Sequence, residues 1–390
     1  MKIAGIICEY NPFHAGHAFQ IAETRRQTGC DYVVVCMAGS FVQRGEPACL
    51  SKQARAEMAL RGGADAVFEL PALYVLRPAE IFARSGVSIL AGIGADVLSF
   101  GSEIADMDLL NRIAELRENE PEAVSNAIQK ALGEGKSYAR AQGEAFAEHL
   151  KIDEKLLEKP NLILAVEYIR AIFRLKAPIS PIAIRRTDDY HAKEAGEEFA
   201  SATAIRALLN AGEIESARRY IPETARSLLS EWKGMHVPDD LLLYRLRTMS
   251  VAEIALLPDV SEGLENRVKR AAATATDAES LIAQIKCKRY TRARLNRLCA
   301  HALLNLTQDL AARHPSPEYA RLIGLRDSAR PLLKELKQRA ALPIVSDPKQ
   351  IAENEVFQLE CRAADIRALC TDDASQRQQG TERTAKFVRV

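Results

Sequence analysis

The sequence lacks the features that define several common classes of protein. None of its eight cysteines forms a C-x-x-C pair, and no spacing of histidine and cysteine matches a zinc site. No apolar run approaches the roughly 18 residues of a membrane span, so we expect none. The apolar start at Met1–Ala4 turns polar by Glu9, which is too short for a secretory leader. Scattered thiols without a leader predict a reducing, cytoplasmic location.

Aromatic residues and net charge are also scarce. Aromatics make up 6% of the chain, and the formal net charge is +1. A chain this close to neutrality has no global field that attracts nucleic acid, so an RNA partner must be bound by a local basic patch, and we expect no DNA partner. The 390 residues, 47% hydrophobic, suffice for two or three domains.

Short apolar runs alternate with helical patterns in the first half of the chain. Buried strands are predicted at residues 2–8, 31–37, 65–70, 96–100 and 181–185, and helices at 17–27, 51–60, 78–90, through most of 106–176, and from near Ser201. Such alternation predicts an α/β fold with a Rossmann-like parallel sheet. We expect a catalytic domain at 1–212, with a helical insert at about 106–176. A mainly helical region at 213–371, with a small α/β piece at 343–370, and a loose polar tail at 372–390 would follow.

Three loops follow predicted strands of this sheet: Glu9–His17, Gly39–Pro47 and Gly101–Glu103. Ligands of open parallel sheets bind beyond the carboxyl ends of the strands. We therefore expect the three loops to converge in space.

The first loop carries two histidines three residues apart, His14 and His17, with Gly16 between them. Glycine allows the backbone to approach a ligand, and the free N–H groups of a helix start favour a phosphate. Two imidazoles there can donate hydrogen bonds to the charge that builds on phosphate oxygens during displacement. The alternative is that two loop histidines occur by chance. Their position directly after a strand and at the start of a helix favours a nucleotide site.

Five further residues lie at strand ends or helix starts: Gly101, Asn161, Arg186, Ser201 and Thr203. Each also has an ordinary interpretation, as a tight turn, a first-turn residue, a surface arginine or a helix cap. An arginine at a strand end can also clamp a phosphate, and a Ser/Thr-rich helix start can bind one. Lys52 and Arg44, near the same sheet edge, are candidates to bind a small anion, a phosphate group or RNA, or are surface charges.

The segment 286–297 is basic and contains no acidic residue. A basic segment with an aromatic residue is typical of RNA binding, although a solvated amphipathic helix is the alternative. Its candidate RNA-binding residues are Lys286, Lys288, Arg289, Tyr290, Arg292, Arg294 and Arg297, with Tyr290 available to stack on a base.

Sequence blocks spread over nearly the whole chain resemble one family. His14–His17 is similar to the H-x-G-H signature of the nucleotidyltransferases. The longer string EYNPFHAGH, followed by GSFVQRGEP, resembles the bacterial tRNA(Met) cytidine acetate ligases. Further similar blocks, in order, are ELP at 69–71, FGSE at 100–103, PNLILAVEY at 160–168, RRTDDYH at 185–191, SATAIR at 201–206 and KRYTRARLNR at 288–297.

The resemblance implies a nucleotidyltransferase fold and a two-step reaction. Acetate and ATP would give acetyl-adenylate and pyrophosphate, and the wobble cytidine of elongator tRNA(Met) would then be acetylated at N4. His14 and His17 would be catalytic, and Mg²⁺ would accompany the nucleotide, with no metal site formed by the protein. His191 is the one candidate for a base acting on the cytidine amine. The implied ATP-binding residues are Ile7, Cys8, Glu9, Tyr10, Asn11, Pro12, Phe13, His14, Ala15, Gly16, His17, Ala18, Phe19, Gln20, Gly101, Asn161 and Arg186, to which the helix start adds Ser201 and Thr203.

Two other functions stay open from the residues alone. The chain could be an adenylyltransferase that acts on a small cofactor precursor, although such an enzyme does not need a long basic helical region. It could also be a non-catalytic RNA-binding protein with a relic nucleotide site, against which the intact H-x-G-H loop argues.

Overall fold

The computed structural model describes residues 1–186, 200–287 and 289–390. In these residues the strands are Ile3–Cys8 (β1), Tyr32–Ala38 (β2), Ala66–Leu70 (β3), Val97–Ser102 (β4), Ser180–Arg185 (β5), Ala320–Leu325 (β6), Ile344–Val345 (β7) and Val388–Arg389 (β8).

The helices of the first 210 residues follow the predicted pattern. They are Ala15–Thr28 (α1), Lys52–Arg61 (α2), Ala72–Val75 (α3), Ala79–Gly92 (α4), Met107–Glu118 (α5), Glu122–Gly133 (α6), Tyr138–Leu150 (α7), Glu154–Leu157 (α8), Pro160–Leu175 (α9) and Ala202–Asn210 (α10).

The remaining α-helices are Ile214–Arg218 (α11), Asp239–Thr248 (α12), Val251–Ala255 (α13), Leu264–Thr274 (α14), Ala278–Ile285 (α15), Arg292–Leu304 (α16), Gln308–Arg313 (α17), Arg330–Arg339 (α18) and Glu355–Leu369 (α19). Short 3-10 helices include Glu223–Glu231 and Thr381–Thr384.

The described strands form one sheet in the order β5-β4-β1-β2-β3-β6-β7, with β8 also paired to β6. Strands β1 to β5 run parallel to one another, whereas β6 runs antiparallel to β3. The predicted α/β class and the five N-terminal strands are confirmed. Since all five are parallel, the loops that follow them meet at one edge of the sheet.

Side chains of the central strands alternate between two cores. On β2, Val34 and Cys36 face the core formed with α4 and α9, whereas Val33 and Val35 face the core formed with α2 and α10. Because both faces are buried, the strands read as continuous apolar runs in the sequence. A third core joins α12, α14, α15 and α16.

The last third of the chain returns to the sheet. Strand β6 pairs with β3, and β7 and β8 pair with β6, at an edge that the sequence pattern does not predict. The small α/β piece expected at 343–370 is present as β7 and α19. The boundaries at residues 212 and 371 stay predictions.

The C-terminal segment is held by a buried ion cluster. Lys52 on α2 contacts Glu69, Glu360 and Glu382, and Arg321 on β6 contacts Glu69 and Glu382; all five residues are buried. The expectation of a loose tail at 372–390 is therefore wrong, because Glu382 anchors this segment in the interior and β8 extends the sheet. No helix of the described residues is long and apolar enough to span a bilayer.

Candidate active site

The loop between β1 and α1 orders its two histidines through their own backbone. His14 caps α1, and its Nδ1 accepts a hydrogen bond from the Gly16 amide at 3.1 Å. Nδ1 of His17 accepts in turn from the His14 amide at 3.3 Å, and the two rings stack with centroids 3.7 Å apart. A neutral imidazole that accepts at Nδ1 carries its proton on Nε2. The pair therefore presents two adjacent Nε2–H donors.

Both imidazoles are held in the neutral form. Burial lowers the pKa of His14 to about 3, with a further contribution from the Arg186 guanidinium. Burial also lowers the pKa of His17 well below its usual range, assisted by His14 and Arg186. At neutral pH the site therefore donates hydrogen bonds from uncharged rings, and Arg186 supplies the fixed positive charge.

The loop between β1 and α1 is held in place by aromatic packing and by hydrogen bonds to neighbouring segments. Phe13 is fully buried against Tyr10, with ring centroids 4.8 Å apart. Asn11 joins two neighbours: its Oδ1 accepts from the Cys49 amide at 2.7 Å, and its carbonyl accepts from Nη1 of Arg206 at 2.8 Å. These contacts fix the loop to the segment that follows β2 and to α10.

The first amides of α1 are already bonded, contrary to the expectation that they are free for a phosphate. The Ala15 amide donates to the Tyr220 carbonyl at 2.8 Å, and the Gly16 amide donates to His14. The α1 dipole still favours an anion there. The donors that face the site are consequently the imidazoles instead of the Ala15 and Gly16 amides.

The other residues of the predicted stretch 7–20 divide by position. Ile7 is buried in β1, Cys8 ends that strand, and Pro12 forms a cis peptide bond with Asn11. Ala18, Phe19 and Gln20 continue α1, with Phe19 exposed.

The three loops predicted to converge do so. Oε1 of Glu9 accepts from the Gln43 amide at 2.8 Å, which joins the first two loops. Gly101, at the end of β4, lies beside Arg186, whose Cγ is 3.4 Å from the position that a Cβ on Gly101 would take. Arg186 in turn lies close enough to His14 and His17 to help lower the pKa of both imidazoles, so the third loop meets the first through Arg186.

Asn161 and Ser201 lie at helix starts on the rim of this site. Asn161 does not cap α9; Lys159 holds that position, and the Asn161 side-chain amide donates to Oε1 of Glu103 at 2.9 Å. Ser201 caps α10 by accepting from the Ala204 amide at 3.1 Å, which confirms the predicted helix start, and Thr203 is exposed in the first turn of that helix. Nucleotide contact by these residues stays a prediction.

Two arginines position the loops, a role that the sequence does not predict for either. The guanidinium of Arg55 is fully buried and donates to the carbonyls of Glu9, Ala38 and Gly39, so it ties together the ends of β1 and β2. Arg206 performs the same task for Asn11. Arg55 has no distinctive sequence signal, whereas Arg206 is the basic residue of the SATAIR block at 201–206.

Lys52 is corrected as a ligand-binding candidate. Its ammonium is buried against three carboxylates, which leaves it unavailable to acetate, pyrophosphate or RNA. Arg44 is exposed on the loop after β2, and its role stays a prediction.

The basic segment 286–297 is only partly exposed. Lys286 and Arg289 are exposed, and Arg292 is half-exposed with an ion pair to Glu279. Nη2 of Arg294 donates to the Asp259 carbonyl at 2.6 Å.

Two members of the segment are corrected because they are buried. Tyr290 is 5% exposed and Arg297 is 7% exposed, and the guanidinium of Arg294 covers the Tyr290 ring at 5.1 Å. Tyr290 therefore packs in the helical core and offers no face for stacking on a base. Two predicted residues, Lys288 and His191, lie outside the described residues.

Comparison with known proteins gives the same family from sequence and from structure. A family model described as HIGH Nucleotidyl Transferase matches residues 1–382. A tRNA(Met) cytidine acetate ligase of Geobacillus sp. (strain WCH70) is 37% identical over 378 residues, covering 93% of each chain. That of Thermoanaerobacter sp. (strain X514) is 35% identical over 390 residues, covering 96% of this chain and 97% of the relative.

Two solved structures share the fold over the full length of both chains. The crystal structure of Thermotoga maritima TmcAL in apo form I superposes with a TM-score of 0.91 at 28% identity. The same protein bound with alpha-thio ATP superposes with a TM-score of 0.89. The chain therefore belongs to the HIGH nucleotidyltransferases and, among them, to the family of tRNA(Met) cytidine acetate ligases.

Proposed function

We propose that this protein is an ATP-dependent ligase that acetylates N4 of the wobble cytidine of elongator tRNA(Met). The names of its relatives support the overall reaction, and the α-thio ATP complex of the Thermotoga maritima protein supports ATP as the nucleotide. The observation that carries the chemistry is the stacked pair of neutral imidazoles at the sheet edge.

In the first step an acetate oxygen attacks the α-phosphorus of ATP. The new P–O bond forms as the bond to the bridging oxygen breaks, and pyrophosphate leaves. Negative charge grows on the bridging and equatorial oxygens, where Nε2–H of His14 and His17 donate hydrogen bonds. Phosphoryl-type transfer needs positioning and charge stabilisation more than a protein nucleophile, and Arg186 adds a permanent charge.

Mg²⁺ fits this step as a companion of the substrate. No group of three metal-ligating side chains occurs among the described residues. Mg²⁺ usually keeps several waters and binds phosphate oxygens, so the triphosphate itself would hold most of its coordination. Gly101 and Asn161 would lie along the adenosine, and Ser201 and Thr203 near the outer phosphates.

In the second step the cytidine N4 amine attacks the acetyl carbonyl. A C–N bond forms, the C–O bond to the phosphate of AMP breaks, and the amine loses one proton to solvent. Lys286, Arg289 and Arg292 are exposed enough to contact tRNA phosphates, which predicts binding that weakens steeply with salt. Both ATP and tRNA are cytoplasmic substrates, so we place the reaction in the cytoplasm.

The decisive experiment is to incubate the protein with ATP, isotope-labelled acetate and total tRNA, then digest the RNA and identify the nucleosides. Labelled N4-acetylcytidine in the elongator tRNA(Met) fraction is the expected result. An assay without ATP is the control. If the label enters a small molecule instead of RNA, the proposal is wrong.

A further inference from the structure

A cavity of about 470 Å³ lies beside the catalytic loop, between the segment after β2, helix α10 and the helical region. Its floor is apolar and includes Trp232, Met235 and Leu303, whereas Arg206, Asn210 and Arg292 contribute polar groups. Its size lies within the range of small-molecule pockets, and an apolar floor with a few polar groups is their usual chemistry.

The strand order places this cavity opposite the adenosine side of the site. Gly101 lies at the end of β4 and Arg186 follows β5, on one side of β1, while the cavity borders the segment that follows β2 on the other side. The histidine loop follows β1, between them. A molecule in the cavity would therefore approach an activated acetyl group from the side away from the adenosine.

Arg206 links the cavity to the catalytic loop. Its guanidinium lines the cavity, donates to the Asn11 carbonyl at 2.8 Å and lies 3.7 Å from Oε2 of Glu46. The side chain is 23% exposed, and a guanidinium carries five N–H donors, so donors remain for a ligand. A ligand held by Arg206 would therefore lie next to the loop that carries His14 and His17.

The basic segment lies at the mouth of the cavity. Arg292 and Asn296, both on α16, line it, and the preceding Lys286 and Arg289 are exposed. The loop after β2 packs directly on α16: a Cβ on Gly45 would lie 2.5 Å from the Arg297 amide nitrogen. RNA phosphates on this segment would therefore lie next to the opening.

We propose that this cavity receives the acceptor cytidine after it is turned out of the anticodon loop. The inference rests on the function proposed above and names the site of its second substrate. Enzymes that modify a base inside folded nucleic acid hold the extruded base against apolar side chains and read its pairing edge. Trp232 and Met235 would cover the base, and N4 would face the histidine loop.

Arg206 also provides a physical basis for choosing cytidine over uridine. Cytosine presents two acceptors, N3 and O2, beside its amine, whereas uracil presents an N–H at N3. A side chain with donors only can pair with the first arrangement and leaves an unpaired donor against the second.

The test uses the fluorescence of Trp232, because it is the only tryptophan in the chain. An anticodon stem-loop of elongator tRNA(Met) is titrated into the full-length protein, with a matched stem-loop that carries uridine at the wobble position. We expect the cytidine stem-loop to change the emission and the uridine stem-loop to change it far less. Equal changes with both, or none with either, would overturn the proposal.

A filling substitution tests the same cavity by kinetics. Ala207, on α10, lines the cavity and is exposed, whereas Ala211, the C-cap of that helix, is exposed elsewhere. We expect Ala207→Phe to lower kcat/KM for the stem-loop about tenfold or more relative to its effect on acetate-dependent ATP–pyrophosphate exchange, and Ala211→Phe to affect neither.

The outcomes separate the two proposals. If the wild-type protein makes no N4-acetylcytidine, the function itself fails. If the wild type is active but Ala207→Phe acetylates the stem-loop normally, the function stands and the cavity assignment is wrong. An equal loss of exchange and of acetylation would place acetate or ATP in the cavity and would also overturn the assignment.

Discussion

At the residue scale, the site depends on keeping two histidines uncharged. Each ring uses Nδ1 as an acceptor for a backbone amide, and burial beside Arg186 opposes protonation. A neutral donor supplies a hydrogen bond where charge develops without attracting the anionic substrate so strongly that release is slowed. The short loop His14–His17 therefore fixes the orientation, the tautomer and the charge state of both imidazoles.

Removing either imidazole should impair the first half-reaction. We expect His14→Ala and His17→Ala each to lower the rate of acetate-dependent ATP–pyrophosphate exchange about 10²–10³-fold, because each removes one donor to the developing charge. His149→Ala, at an exposed position on α7, is the matched control and should leave the rate unchanged. Unchanged turnover in His17→Ala would remove it from the mechanism.

The low pKa of His14 also predicts how stability depends on pH. In the unfolded chain His14 takes up a proton near its usual pKa of about 6.5, whereas in the folded chain it stays neutral until about pH 3. Its contribution to stability is therefore complete above pH 6.5 and is lost as the pH falls below it. Between pH 7.5 and pH 5 the loss is about 2 kcal/mol.

His14→Asn should remove this dependence, since asparagine also caps helices well but does not titrate. As the pH falls from 7.5 to 5, we expect the unfolding free energy of the wild type to decrease by about 2 kcal/mol more than that of His14→Asn, measured by urea denaturation. Parallel pH profiles for the two proteins would show that His14 titrates normally in the folded state.

At the element scale, the loop after β2 is shaped by its contact with α16. Gly45 adopts φ +84°, and a Cβ there would collide with backbone atoms of Asn296 and Arg297, which cannot move as a side chain can. This single close approach joins the sheet edge to the helix that carries Arg292.

Gly45→Ala should therefore be more destabilising than the left-handed backbone alone requires. Gly135 has the same φ of +84° with open space around it, so Gly135→Ala measures the backbone cost by itself. We expect Gly45→Ala to lose about 1–3 kcal/mol more than Gly135→Ala in chemical denaturation. Equal losses would mean that the loop moves away from α16 freely.

The elements that follow local rules are the ones that the sequence predicts well. The strands 3–8 and 32–38 are continuous apolar runs with turn signals, and the cap at Ser201 is a standard helix start. The strand β6 escapes prediction because its partner, β3, is about 250 residues away and its neighbours in sequence are helical. Arg55 escapes because nothing in its local pattern indicates that its guanidinium turns inward to bind three carbonyls.

At the scale of the whole molecule, the ion cluster joins distant parts of the chain. It brings together α2, β3, β6, α19 and the segment around Glu382, and Glu360 of the cluster also accepts from the amides of Ser40 and Ala72. Buried charges are tolerated only when they are paired and hydrogen-bonded. The cluster therefore restricts how these elements can be arranged.

Removing the one lysine should cost more than neutralising one carboxylate. Lys52→Met leaves three buried carboxylates against Arg321 alone, and we expect a loss of about 3–5 kcal/mol in unfolding free energy. Glu382→Gln leaves two cations facing two carboxylates, and we expect a loss of about 1–3 kcal/mol. A greater loss in Glu382→Gln than in Lys52→Met would contradict this account of the cluster.

The pairing of Lys52 with Glu382 also has a consequence for how the enzyme is made. The two residues are 330 positions apart, so a nascent chain carries an incomplete buried cluster until Glu382 has left the ribosome. Contacts this distant in sequence form slowly, because a long loop must close before they stabilise anything. Translation therefore delivers the histidine loop well before Glu382, the residue that completes the buried cluster.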